Sequence, residues 1–260
     1  MKLELRGEVA YFGTGSGALD SANPAMLFVH GAGFDHSVGV MPARYFARHG
    51  FSVIAPDLPG HGRSGGEGLS AVADMADWLV ELLAATGHDS AHVIGHSMGS
   101  LVALNLARRH PDRVAQVALL GTSAPMPVGP PLLNAAEDDH VAAFDMANTW
   151  SHSDRLRAGQ NPGMSNFVSD ARWLRRCKPG VDFKDLTACN EFQDEGGALE
   201  CPLLVIAGAE DKMTPAKSGL KLADAAVAQQ VVTLPGCGHA MLNERPNQVL
   251  DALAEFFISR

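Results

Sequence analysis

The chain has 260 residues, of which 46% are hydrophobic and 19% charged, and it carries a net charge of −9 at pH 7. That length can bury about 75% of the unfolded surface around one core. The acidic balance argues against nucleic acid or an anionic membrane as partner. No apolar run approaches the roughly 20 residues that span a bilayer, so no membrane insertion is expected. Met1 to Gly7 alternates polar and apolar residues and has no apolar signal-peptide stretch. The four cysteines, Cys177, Cys189, Cys201 and Cys237, show no C-x-x-C spacing. Reduced thiols in a cytoplasmic protein are expected.

Residues 1–20 read as two strands joined near Arg6-Gly7. From Met26 strands and helices alternate: strand 26–30, helix 37–49, strand 51–56, helix 70–86, strand 91–96, helix 98–109, strand 114–121. In the helix at 70–86, Val72, Met75, Ala76, Leu79, Val80, Leu82 and Leu83 follow a 3.6-residue period. Alternation of this kind predicts an α/β fold, a mostly parallel sheet with helices on both faces. The pattern breaks after Ser123, where Pro125, Pro127, Pro130 and Pro131 fall within seven residues and exclude a continuous helix. Residues 124–198 lack strand signals and carry helical patches near 134–149, 165–177 and 184–193. The core resumes with the buried-strand runs Pro202–Gly208 and Gln230–Leu234. Residues 1–123 and 199–260 therefore read as one core and 124–198 as an inserted helical cap.

Chemistry concentrates where predicted strands end. Gly95-His96-Ser97-Met98-Gly99 joins the strand 91–96 to a helix, and so tight a turn holds a serine hydroxyl clear of its neighbours. Serine needs a histidine to take its proton and a carboxylate to orient that histidine. Of eleven histidines, only His239 combines a strand-end glycine turn with a position downstream of a strand-end carboxylate. His49, His88 and His110 read as surface or cap residues, His92 as structural, and His36, His140 and His152 as exposed. His96 should point away from the serine hydroxyl. The carboxylate is Asp211 or Glu210, both at the end of the strand 202–208.

Gly208-Ala209-Glu210-Asp211-Lys212-Met213-Thr214-Pro215 resembles the acid turn of the α/β-hydrolase superfamily. Gly238-His239, followed by Glu244-Arg245-Pro246, resembles its histidine turn. His30-Gly31-Ala32-Gly33 resembles its H-G-x-G loop, and Asp57-Leu58-Pro59-Gly60-His61-Gly62-Arg63-Ser64 a turn that organises the loop beside the site. The resemblance covers residues 26–123 and 199–260. It implies Asp211 as the acid, and Ala32 and Met98 as backbone donors to an oxyanion. Asp57 would bond loop backbone, with His61 at the pocket edge.

Position 97 is serine, not the aspartate of dehalogenases and epoxide hydrolases, and both tyrosines, Tyr11 and Tyr45, precede the cap. The oxyanion loop has no proline, unlike proline iminopeptidases and many C–C bond hydrolases. These features point to a serine carboxylesterase acting on a small-molecule ester, with no metal or organic cofactor. Lactonase, thioesterase, C–C hydrolase and cofactor-free perhydrolase chemistry use the same triad, and a non-catalytic ligand receptor on this fold is the alternative of another class. Gly33, Phe144, Trp150 and Phe167 are candidate pocket residues.

Overall fold

The structure, a computed structural model, describes residues 1–154, 166–224, 226 and 228–258. Eight strands form one sheet in the order β1-β2-β4-β3-β5-β6-β7-β8. They are β1 (Lys2–Leu5), β2 (Glu8–Gly13), β3 (Ala25–Val29), β4 (Ser52–Pro56), β5 (Ala91–His96), β6 (Val114–Leu120), β7 (Leu203–Gly208) and β8 (Gln229–Leu234). β1 and β2 join antiparallel, as do β2 and β4, and every other pairing is parallel. β3, β4 and β7 are buried at every residue, as central parallel strands covered on both faces must be.

Two apolar layers flank the sheet. On one side, α2 (Val72–Ala85) and α3 (Met98–Arg109) pack on Leu27, Val29, Val93 and Val117. On the other, α1 (Val40–Arg48) and a C-terminal helix, Pro246–Ile258, cover Met26, Phe28, Ile94 and Leu204. Adjacent residues of β3 thus feed opposite layers, because strand side chains alternate faces. The chain runs from β3 outward to β4, then crosses to β5 on the other side of β3. This reversal makes the carboxyl ends of β3 and β5 a topological switch point, where open α/β sheets bind ligands.

Four described helices lie between β6 and β7: α4 (Pro130–Asp138), α5 (His140–Ser151), α6 (Asn166–Leu174) and α7 (Val181–Glu191). Two differ from the sequence expectation. The stretch expected as one helix at 134–149 is two, broken at Asp139, whose side chain accepts the N–H groups of Val141 and Ala142 and starts α5. α4 begins on Pro130-Pro131, since a proline in the first turn gives up no helical hydrogen bond. Beyond β7 come α8 (Ala216–Ala223), α9 (Met241–Glu244) and α10 (Pro246–Ile258).

Candidate active site

Ser97 lies between β5 and α3 at φ 55° and ψ −123°. A non-glycine residue there stores roughly 1–3 kcal/mol of backbone strain. The turn is crowded. A Cβ on Gly95 would stand 2.1 Å from the Gly99 carbonyl oxygen, and one on Gly99 would stand 2.2 Å from that of Val29. Ser97 N–H donates to Leu120 O at 2.9 Å, which ties the turn to β6.

Asp211 follows β7. Its Oδ1 accepts the N–H groups of Met213 (2.9 Å) and Thr214 (2.8 Å), and its Oδ2 accepts the Thr214 hydroxyl at 2.7 Å. His239 Nδ1 stands 2.8 Å from the same Oδ2. Glu210 is exposed, so Asp211 is the acid turn's carboxylate that meets the imidazole. Burial works to raise the Asp211 pKa, but His239 and the Thr214 donors outweigh it and hold the carboxyl below its ordinary value. An ionised Asp211 fixes the His239 proton on Nδ1 and leaves Nε2 as the basic nitrogen. Nε2 is buried and has no hydrogen-bond partner.

The His239 turn is held from three directions. Gly238 N–H donates to Glu244 Oε2 at 3.2 Å, and Ser153 N–H donates to Glu244 Oε1 at 2.8 Å. Ala240 N–H donates to Ser151 O at 2.9 Å. His96 Nε2–H donates to His239 O at 3.0 Å. Burial, with His239 beside it, lowers the His96 pKa to about 4, so His96 stays neutral as a donor. It lines the cavity.

After β3, His30 donates from Nδ1 to Gly31 O (2.8 Å) and accepts Leu58 N–H at Nε2 (3.1 Å). Burial is the main reason its pKa falls to about 4. Gly31 packs against the nucleophile turn: a Cβ there would stand 3.1 Å from Ser97 Cβ. Gly33 has φ +72°. Its N–H donates to Asp185 Oδ2 at 2.8 Å, and His61 Nε2 lies 2.8 Å from the same oxygen. Asp185 is on α7, 0% exposed, and so links that helix to the loop carrying Ala32. Asp57 accepts the N–H groups of His36 and Arg63, each at 2.8 Å, and bonds His36 Nδ1 at 2.6 Å. Asp57 therefore organises its loop as expected, while His61 is buried against Asp185 rather than at the cavity edge.

A cavity of about 470 Å³ opens over these strand ends. Ser97, His239, His96, Ala32 and Thr214 line it from the core, and Phe144, Trp150, Leu132 and Leu186 line it from the helices between β6 and β7. Phe144 is buried; Trp150 is 36% exposed at the rim. Gly33 is not among the lining residues; Phe144, Leu174 and Cys177 pack over it. Met98, the first residue of α3, presents an N–H with no intrahelical acceptor. The side chain of Phe167 lies outside the described residues.

Two histidines expected at the surface are instead paired with carboxylates. His152 is 1% exposed, lines the cavity, and lies 3.1 Å from Asp170 Oδ2. Burial lowers its pKa, and the Asp170 carboxylate more than reverses that. His140 Nδ1 lies 3.0 Å from Asp182 Oδ1. His36 is also half-buried on Asp57. Polar sequence context misled in each case, because a distant carboxylate supplies the partner. Asp170, Asp182, Asp185 and Glu244 carried no local sequence signal for these roles, though Glu244 stands in the histidine-turn motif.

The pattern of the alpha/beta hydrolase family matches residues 26–252. The chain belongs to that family. Its sequence is 30% identical to the pimeloyl-[acyl-carrier protein] methyl ester esterase of Aromatoleum aromaticum, over 86% of this chain and 94% of that one. It is 32% identical to a 2-hydroxymuconate semialdehyde hydrolase of Pseudomonas putida, over 83% and 80%. The enol-lactonase of Burkholderia xenovorans superposes with a TM-score of 0.87 at 21% identity, covering 98% of this chain and 99% of that one; that likeness is of fold. The protein is a hydrolase with an α/β-hydrolase fold. No described helix is long and apolar enough to cross a membrane, and all four cysteines are buried and free.

Proposed function

We propose that the protein is a serine hydrolase that cleaves carboxylic esters of small, largely apolar molecules through an acyl-enzyme. One observation carries the reading. Ser97, on a strained turn, and the unpaired Nε2 of His239 line one cavity, with Asp211 Oδ2 2.8 Å behind the imidazole.

His239 Nε2 takes the Ser97 proton as Oγ attacks the ester carbonyl carbon. The carbonyl oxygen becomes an oxyanion, and the Ala32 and Met98 N–H groups donate to it. Asp211 accepts the Nδ1–H bond and stabilises the imidazolium that forms. The C–O bond then breaks, and Nε2–H protonates the leaving alcohol. Water, giving a proton to Nε2, attacks the acyl carbon; the C–Oγ bond then breaks, Nε2–H returns its proton to Ser97 Oγ, and the acid leaves. Residues 124–198 act as a cap that shapes the pocket, since Phe144 and Trp150 line the cavity from that segment.

A p-nitrophenyl ester series with acyl chains of two to twelve carbons tests this. Turnover that peaks at a short or medium chain and vanishes in Ser97→Ala is expected. A fluorophosphonate probe should label Ser97 alone. Labelling elsewhere, or activity that survives Ser97→Ala, refutes the reading. The 32% relative named as a semialdehyde hydrolase supports C–C cleavage as a second reading, which requires vinylogous diketones to be turned over far faster than any ester.

A further inference from the structure

The cavity is largely apolar, yet one carboxylate in its wall accepts no hydrogen bond. Asp182, on the first turn of α7, is 3% exposed and lines the cavity. Neither of its oxygens accepts a hydrogen bond. Its Oδ1 faces His140, whose Nδ1 is 3.0 Å away and makes no hydrogen bond either, which leaves Oδ2 without a partner. The other carboxylates of the site are engaged. Asp211 accepts three donors besides facing His239. Asp170 accepts the Asn243 amide and faces His152. A buried carboxylate oxygen without a donor is costly to keep. The position at a helix N-terminus favours its charge but supplies no hydrogen bond.

We propose that Asp182 is a substrate subsite that takes an N–H or O–H donor, an amino or hydroxyl group carried by the substrate. This rests on the serine-esterase reading of the same cavity. Charge around the cavity points the same way. Among the described lining residues there is no arginine, and Lys212 is exposed and paired with Asp154 at 2.8 Å. Among the described residues, a substrate carboxylate would face Asp170 and Asp182 in a wall where Lys212 is paired with Asp154 and His152 with Asp170. An ammonium group would gain a charge-assisted bond to Asp182, and a hydroxyl a weaker one. Substrates of this site are therefore amino- or hydroxy-substituted esters rather than half-esters of diacids.

The test uses hexylamine, hexanol, hexane-1-sulfonate and hexanoate as competitors against p-nitrophenyl butyrate. With the wild-type protein, hexylamine should inhibit at least tenfold more tightly than hexanoate or the sulfonate, with hexanol between. In Asp182→Asn the amine-to-hexanol ratio should fall at least tenfold. Equal inhibition by amine and hexanoate in the wild type overturns the proposal, and that measurement does not depend on a variant folding. An unchanged amine-to-hexanol ratio in a folded Asp182→Asn protein overturns it too. If no ester is hydrolysed, the esterase reading has failed instead. Calorimetric titration of hexylamine into wild type and Asp182→Asn then decides the subsite by itself: binding weakened tenfold supports it, and equal binding refutes it.

Discussion

Asp185 joins α7 to the loop that carries the proposed oxyanion donor Ala32, and its removal is the sharpest test of that architecture. The carboxylate is fully buried, and Oδ2 serves both Gly33 N–H and His61 Nε2 at 2.8 Å. Asp185→Ala leaves both groups buried without that acceptor, at about 1–3 kcal/mol each. A loss near 4 kcal/mol lowers Tm by roughly 10 °C in a domain of this size. The freed loop no longer fixes Ala32 N–H. The kinetic cost should approach the roughly 10²–10³-fold fall in kcat seen when an oxyanion donor is removed, with KM moving less. Asp185→Asn keeps an oxygen but loses the charge that holds His61 protonated. Burial lowers the His61 pKa, and Asp185 outweighs burial to leave it raised. A raised folded-state pKa stabilises below the unfolded value of about 6.5, and the contribution fades as pH rises through the folded value. The stability gap between wild type and Asp185→Asn should therefore be widest near pH 6 and close toward alkaline pH. Thermal unfolding from pH 5.5 to 9, with ester kinetics, measures both effects. An Asp185→Ala protein within 2 °C and threefold of wild type refutes the anchor. A large Tm loss with unchanged kcat refutes the link to the oxyanion loop.

Asp211→Asn should lower kcat by about 10⁴, as loss of a triad aspartate does, while Glu210→Gln stays within threefold; steady-state kinetics decides. The Asp211 carboxyl is held below its ordinary value, so its contribution to stability is present above the unfolded value of about 3.9. It is lost as pH falls through the folded value, and acid unfolding of wild type against Asp211→Asn should show this. Gly99→Ala places a Cβ 2.2 Å from Val29 O and should abolish soluble expression or drop Tm by more than 10 °C; a stable, active variant contradicts the packing described. Phe144→Ala should shift the preferred p-nitrophenyl acyl chain to longer esters and cost about 3–5 kcal/mol of stability. An unchanged chain-length profile means that Phe144 does not border bound substrate.

The alternation of apolar strand runs with 3.6-periodic helices was enough to place six parallel strands and the helices between them, because burial on both faces leaves a local pattern. The candidate residues Ser97, Asp211 and His239 were legible for a related reason. Each stands at a strand end in a turn whose glycines are demanded by close backbone approach, and those glycines are visible in the chain. The helices after Pro125 were less legible. Prolines that forbid a helix interior are compatible with its first turn, so α4 was missed where it begins.

What the sequence determined by itself was the order of the sheet-forming segments, the residues at their carboxyl ends, and the reaction class those residues suit. Tertiary structure decided which carboxylates reach that site from elsewhere. Asp185 meets Gly33 across 152 positions, Glu244 meets Ser153 across 91, and Asn243 meets Asp170 across 73. Periodicity and turn chemistry report on neighbours a few residues apart. A hydrogen bond between distant residues depends on where two packed elements bring a donor and an acceptor, and a buried aspartate and an exposed one are written with the same letter.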